Sequence, residues 1–311
     1  MDKFHFTTIV SNDHLFKFIA MYASLDMHCN DYKLYALCAS KEAYIILKAI
    51  NFKNIIIYNL KELEDEKMLK AKGNRVFHAY CWTLKPFFLY YVMQNHNDSL
   101  YFAHLDADLC FYNDPMLIFD ESPNASIYLT HHRNSEMFLK FYKITGIYNT
   151  GFVGCRNDKT AHFAISQWRD KCIENCPIKE DLENKIFGDQ RYVENWPSEF
   201  KKVHVVNSLG ANAALWNISD YTVTANENNI FVNNQLLIFY HFSGLTIISQ
   251  NEFNLCWYYR IENKDAIFHI YILYLTILSN AIKDIKKYFP WFDSGFLARI
   301  HTPDTHYFKL D

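Results

Sequence analysis

From residue 6 to residue 105 short apolar runs alternate with longer stretches of helical periodicity, and no other feature restricts the possible folds as much. Residues 6–10, 34–39, 54–59 and 99–105 read as strands, and the middle of Asn54-Ile55-Ile56-Ile57-Tyr58-Asn59 is β-branched, as in a strand covered on both faces. Residues 15–25 place Leu15, Phe18, Ile19 and Tyr22 on one helical face, and 41–50 and 61–72 read as further helices. A long aromatic segment, 78–94, precedes the fourth strand. Strands alternating with helices close as a parallel sheet with helices on both faces, so the expectation is α/β, doubly wound and mostly parallel.

From about residue 125 the strands shorten to 125–130, 147–154 and 203–206, separated by two helical stretches. Residues 230–232 and 235–239 flank Asn233-Asn234, a pair that tolerates positive φ and predicts a hairpin. This half implies a smaller mixed sheet. No Ser/Gly/Pro linker or internal repeat interrupts the chain, so it reads as one domain over 1–250, with halves 1–115 and 116–250. A C-terminal helical extension follows over 251–311. Within it, 266–282 is apolar but carries His269, Thr276, Ser279 and Asn280, and it is short of the ~20 residues of a membrane span. A helix packed on the domain is the plainer reading. Peripheral contact with an anionic membrane surface, through Lys283, Lys286, Lys287 and the aromatics after them, is the sharper one.

Composition removes several classes of function. The net charge is −3 with no basic stripe, which argues against nucleic acid as a partner. The eight cysteines form no CxxC pair, so a zinc site is not expected. Residues 1–13 contain no apolar signal region, which places the protein in a reducing cytoplasm, where the sequon matches Asn124-Ala125-Ser126 and Asn217-Ile218-Ser219 are not glycan acceptors. Eight glycines, with neither GxxxxGK[ST] nor GxGxxG, argue against a glycine-rich loop as the anchor for a phosphate ligand.

The most informative segment is YFAHLDADLCFYNDP, residues 101–115, where a strand runs into Asp106-Ala107-Asp108. Residues two apart on extended chain project to one side, so the carboxylates can share a hard divalent ion whose other positions a diphosphate fills. Ligands of open α/β sheets bind beyond the carboxyl ends of strands, where this pair stands. His241, in YHFSG, is the candidate third ligand. In IYNTGFVGC, Asn149 is placed to bond sugar hydroxyls and Gly151 to allow close backbone approach to a ligand. Asp189 and Gln190, in FGDQR, either face a reacting anomeric centre or merely cap a helix. Lys85 and Arg75 are candidate cations for a diphosphate. Asn12 and Asp13, after the first strand, lie where a base or ribose would be read.

These segments, in order over residues 6–245, resemble the retaining glycosyltransferases of family 8. They look closest to a related bacterial group of nucleotide-diphospho-sugar transferases linked to surface-polysaccharide assembly. Asp106 and Asp108 match that family's metal-binding Asp-x-Asp, Asn149-Thr150-Gly151 its Asn-x-Gly, and Asp189-Gln190 its Asp-Gln pair near the anomeric carbon. His241 with Gly244 matches its metal-binding His-x-x-Gly. AYCWTLKP and GANAALWN look like signatures of the narrower group. One departure stands out: the family follows His-x-x-Gly with Lys-Pro-Trp, whereas here the chain continues Leu245-Thr246-Ile247-Ile248, so the diphosphate cation must come from elsewhere, Lys85 or Arg75.

The resemblance implies a GT-A type fold in which 1–115 binds nucleotide and 116–250 binds acceptor. It implies Mn2+ or Mg2+ on Asp106, Asp108 and His241, a UDP-sugar donor, and a glycan or lipid-linked saccharide acceptor. Asp189 and Gln190 are the expected catalytic residues. Asn12, Asp13, Arg75, Lys85, Asp106, Asn149 and Gly244 are the expected donor contacts. Retention would let the leaving phosphate deprotonate the acceptor, whereas inversion would call on Asp189 or His132. A catalytically silent nucleotide-sugar-binding subunit and a metal-dependent phosphohydrolase are the alternatives.

Overall fold

Nine strands and the first four α-helices frame the site in the computed structural model, which describes residues 3–50 and 52–311. In chain order the strands are β1 (Phe4–Val10), β2 (Tyr32–Cys38), β3 (Ile55–Asn59), β4 (Tyr101–Leu105), β5 (Leu109–Phe111), β6 (Ile127–His131), β7 (Tyr148–Arg156), β8 (Val203–Val205) and β9 (Ala211–Ala214). The helices are α1 (Leu15–His28), α2 (Lys41–Ile50), α3 (Glu66–Gly73) and α4 (Phe77–Asn95). All of these strands except β5 and β9 form one sheet, in the order β3-β2-β1-β4-β7-β6-β8. The first four run parallel, as the alternation predicts, and β7 runs antiparallel to both of its neighbours. The fold is thus the expected α/β one, with a mostly parallel main sheet.

The aromatic segment is the helix α4, 19 residues long with Pro86 inside it. A proline there removes one intrahelical hydrogen bond. Burial offsets the loss: Tyr80, Leu84, Phe88, Leu89 and Val92 are buried, and α4 packs on the helix Lys159–Glu174 over one face of the sheet. The opposite face is covered by α1, which packs against the C-terminal helix Ile272–Tyr288 through a second core.

A smaller mixed sheet stands at the end of β4. The strand Phe239–His241 is its centre, antiparallel to β5 and parallel to β9. Asn233 and Asn234 turn the expected hairpin with φ of 47° and 64°. Residues 235–239 are not one strand, however. Gln235–Leu236 completes the hairpin, and the chain then crosses to pair with β5 and β9 from Phe239.

The C-terminal segment is not purely helical. Glu252–Asn254 pairs with both Thr246–Ser249 and Tyr307–Lys309. The continuous helical run is also longer than its apolar stretch. Lys264–Tyr288 spans 25 residues, enough by length and composition to cross a membrane, but half of its most apolar window is buried inside the fold. Tyr274, Leu275, Leu278, Ile282 and Ile285 are buried there. Length therefore does not exclude a span, as the shorter run suggested, and burial makes this a core helix.

Candidate functional site

The carboxylate pair is brought together by a turn rather than by strand alternation. Strand β4 ends at Leu105, and Asp106 to Asp108 reverse the chain into β5, with Leu109 N donating to Asp106 O at 3.3 Å. Both ends of the turn are pinned to other strands. Asp106 N donates to Gly151 O at 2.8 Å, and Phe242 N donates to Asp108 O at 2.9 Å. The register that pairs His241 with Leu109 carries the imidazole over this turn. Its Nε2 stands 3.1 Å from Asp108 Oδ1 and 3.9 Å from Asp106 Oδ2. One ligand atom from each of the three residues lies within 4.8 Å of the other two. Donors at roughly 2.1 Å from a shared ion stand about 3–4 Å apart, so this set of two carboxylates and one imidazole fits a divalent cation.

The histidine is oriented from behind. Its Nδ1 lies 3.2 Å from Asn149 Oδ1, which also accepts from Gly151 N at 2.9 Å. A proton on Nδ1 leaves the Nε2 lone pair facing the carboxylates, as a metal-binding imidazole requires. The close approach allowed by Gly151 is to this ring: a Cβ there would lie 2.5 Å from His241 Cε1 and 2.7 Å from Nδ1. The Trp216 ring meets His241 edge-on at 5.3 Å and His132 at 5.2 Å, while Asn217 donates to the carbonyls of His132 and Asn212. GANAALWN is therefore a buttress for the imidazole.

Lys85, on α4, joins this cluster to Asp189. Its Nζ is 2.8 Å from Asp106 Oδ1 and 3.7 Å from Asp189 Oδ2. Asp189 does not cap the short 3-10 helix Gln190–Val193; its carboxylate accepts from Thr150 Oγ1 at 2.7 Å and its carbonyl from Trp168 Nε1 at 2.8 Å. Burial alone disfavours charge on Lys85, yet Asp106 and Asp189 hold its ammonium above the ordinary lysine range. Burial likewise opposes charge on Asp106, but Lys85 and His104 hold the carboxyl well below the usual carboxylate range. Asp108 is held low in the same way, by His241 and Lys17 against burial. Burial pushes the Asp189 carboxyl up, with Lys85 opposing.

These groups line one cavity of about 440 Å³, within the range of small-molecule sites. Asp13, Lys85, Asp106, Asp108, Asn149, Asp189, Gln190, His241 and Gly244 reach it. Gly244, at φ 83°, lets Tyr258 pack where a Cβ would come within 2.9 Å of its ring. Four carboxylates against two lysines give the cavity a formal charge of −2, which one divalent cation would neutralise.

Three candidates lie elsewhere. Asn12 caps α2, its Oδ1 accepting from Ala43 N at 3.1 Å and its Nδ2 donating to Glu42 at 2.9 Å. The Arg75 guanidinium donates to Thr83 Oγ1 and to the carbonyls of Cys172 and Ile173. Neither side chain lines the cavity, so Lys85 is the one of the two expected cations that is present. His132 is buried against Trp216 and Ile147, and burial brings its imidazole down to about 3.

Sequence reasoning missed Ser11, His14, Lys17, His78, Trp82, Thr150, Trp257 and Tyr258, all of which line the cavity. Lys17 reads in the sequence as a solvated charge on an amphipathic helix, yet it is only 7% exposed. Two of them had a hint in the sequence: Thr150 follows Asn149 directly, and Trp82 lies in AYCWTLKP.

This architecture is that of the GT-A glycosyltransferases. Two structures of the galactosyltransferase LgtC share it: the complex with donor and acceptor sugar analogs (TM-score 0.53, 11% identity, 77% of this chain and 87% of that one) and an active-site mutant (TM-score 0.54, 10% identity, 89% and 96%). The chain belongs to the family of the uncharacterized protein YfnD of Bacillus subtilis (strain 168), with which it is 51% identical over 311 residues, the full length of both. The uncharacterized protein YfnF of the same organism is 29% identical over 301 residues, covering 94% of this chain and 97% of its own. No family model matches the sequence.

Proposed function

We propose that this protein is a metal-dependent glycosyltransferase that moves a sugar from a UDP-linked donor to a hydroxyl of a glycan or lipid-linked saccharide, with retention at the anomeric carbon. It works in the cytoplasm or at the inner face of the membrane. The carrying observation is the Asp106–Asp108–His241 cluster on the wall of a cavity whose other wall is Asp189, with Lys85 between them. The likeness in fold to a galactosyltransferase crystallised with donor and acceptor sugar analogs supports the reading.

In this reading Asp106, Asp108 and His241 hold Mn2+ or Mg2+, which when bound neutralises charge building on the departing diphosphate. Asp13 orients the donor from the cavity wall, while Asn149, expected to meet sugar hydroxyls, instead holds the His241 imidazole. Thr150 and Lys85 fix the Asp189 carboxylate, and with Gln190 it stabilises positive charge on the sugar. Trp82, Trp257 and Tyr258 offer flat faces to a base or sugar ring. Retention needs no separate base for the acceptor, because the leaving phosphate takes that proton on the same face. His132 lies outside the cavity, which leaves Asp189 as the base an inverting route would need.

A panel of nucleotide sugars, with and without Mn2+, tests the proposal by thermal shift and nucleotide release. A UDP-sugar should stabilise the protein only with metal and yield free nucleoside diphosphate when acceptor is supplied. Release of inorganic phosphate would point to a phosphohydrolase, and stabilisation without turnover to a silent binder. Full activity of Asp108→Ala with chelator present would rule out the metal role.

A further inference from the structure

Lys17 is the third residue of α1 and one of two lysines in the cavity. The other, Lys85, is committed to Asp106 and Asp189 at 2.8 and 3.7 Å. Lys17 is 7% exposed and, among the described residues, makes no hydrogen bond or ion pair. Its surroundings disfavour it twice. Burial strips water from the ammonium, with Asp108 and Asp13 only partly compensating from a distance, and its first-turn position sets a cation at the positive end of a helix dipole. His14 adds no charge, because burial together with Lys17 brings its imidazole down to about 4. A group held at such a disadvantage against a cavity wall matches an anion that is absent until ligand arrives, and an anion at a helix N-terminus would relieve both penalties.

We propose that Lys17, at the N-terminus of α1 on the Asp108 side of the metal cluster, is the residue that binds the diphosphate of the donor. The inference rests on the nucleotide-sugar reading above. Lys85 then serves a different end of the donor, keeping Asp106 and Asp189 charged and in place. With a divalent ion held by Asp106, Asp108 and His241, Lys17 would add a second charged contact to the diphosphate, and the neutral His14 imidazole would stand beside it as a hydrogen-bond donor.

The test uses the full chain with inorganic pyrophosphate in excess Mg2+, which requires no knowledge of base or sugar. Wild type and Lys17→Met are titrated calorimetrically with Mg2+ alone and with Mg2+–pyrophosphate, and both are melted without ligand. Lys17→Met should melt at or above the wild-type temperature, since a desolvated charge has been removed, and should bind Mg2+ no more weakly. Its affinity for Mg2+–pyrophosphate should fall on the order of 10- to 100-fold, the scale of a hydrogen bond to a charged group. A neutral polar variant, Lys17→Gln, should fall similarly, which separates loss of charge from loss of shape. Unchanged Mg2+–pyrophosphate affinity in Lys17→Met, with a wild type that binds it, would overturn the role of Lys17 alone. A wild type that binds no Mg2+–pyrophosphate would overturn both this inference and the transferase reading.

Discussion

Replacing Gly151 by alanine should disable the proposed metal site while leaving the fold intact. The added methyl would lie 2.5 Å from His241 Cε1, 2.7 Å from Nδ1 and 2.8 Å from Asn149 Oδ1. Comfortable contact between such atoms is about 3.5 Å, so something must retreat by about 1 Å. The backbone of β7 cannot do so easily, because Gly151 N is bonded to Asn149 Oδ1 and Gly151 O to Asp106 N. The imidazole is the part free to rotate away, and a metal ligand tolerates only about 0.2 Å of displacement. Loss of correct orientation at a metal-binding histidine weakens the ion on the order of 10- to 100-fold, about 1.4–2.7 kcal/mol. Titration of Mn2+ by calorimetry, with circular dichroism as a check on folding, measures the effect. If the folded Gly151→Ala protein binds Mn2+ as tightly as wild type, the assignment of His241 as a ligand in this geometry is refuted.

Lys85→Met should leave Asp106 and Asp189 buried without their shared cation and lower stability by about 3–5 kcal/mol, read as a drop in the urea midpoint; a loss under 1 kcal/mol would show the pair to be dispensable. In chelator, stability should fall as pH drops below about 4. Asp106 and Asp108 have folded values below the unfolded one near 3.9, so their contribution is complete above that value and lost on acidification, with Asp189, shifted upward, offsetting part of it. The slope should flatten in an Asp106→Asn, Asp108→Asn double variant; an equal slope in both proteins would place the acid sensitivity elsewhere. Asn12→Ala should cost about 1 kcal/mol through the lost cap of α2 and leave nucleotide affinity unchanged, whereas a binding defect without loss of stability would restore Asn12 to the site.

What could be read from the chain follows from how local each signal is. Strand–helix alternation is a property of neighbouring residues, so the main sheet and the position of Asp106 and Asp108 beyond the carboxyl end of β4 were legible. The turn that joins the two carboxylates was not, because Gly151 and Phe242, which pin it, lie far along the chain. The helix α4 carries apolar side chains on nearly all sides and a proline, so periodicity gave it no identity. Arg75 looked available for a phosphate because its partners, the carbonyls of Cys172 and Ile173, are backbone atoms that no side-chain pattern announces. Lys17 failed in the opposite sense: an ordinary helical lysine by pattern, it is buried in the cavity wall.

The three prospective metal ligands do not share one sheet. Asp106 leaves the main sheet, Asp108 enters the smaller one, and His241 sits on the latter's central strand. An ion held among them would therefore add one more tie between two sheets that the turn and its backbone hydrogen bonds already join. Removal of that ion would accordingly loosen the proposed donor site while the two sheets stay joined through Asp106 N–Gly151 O and Phe242 N–Asp108 O.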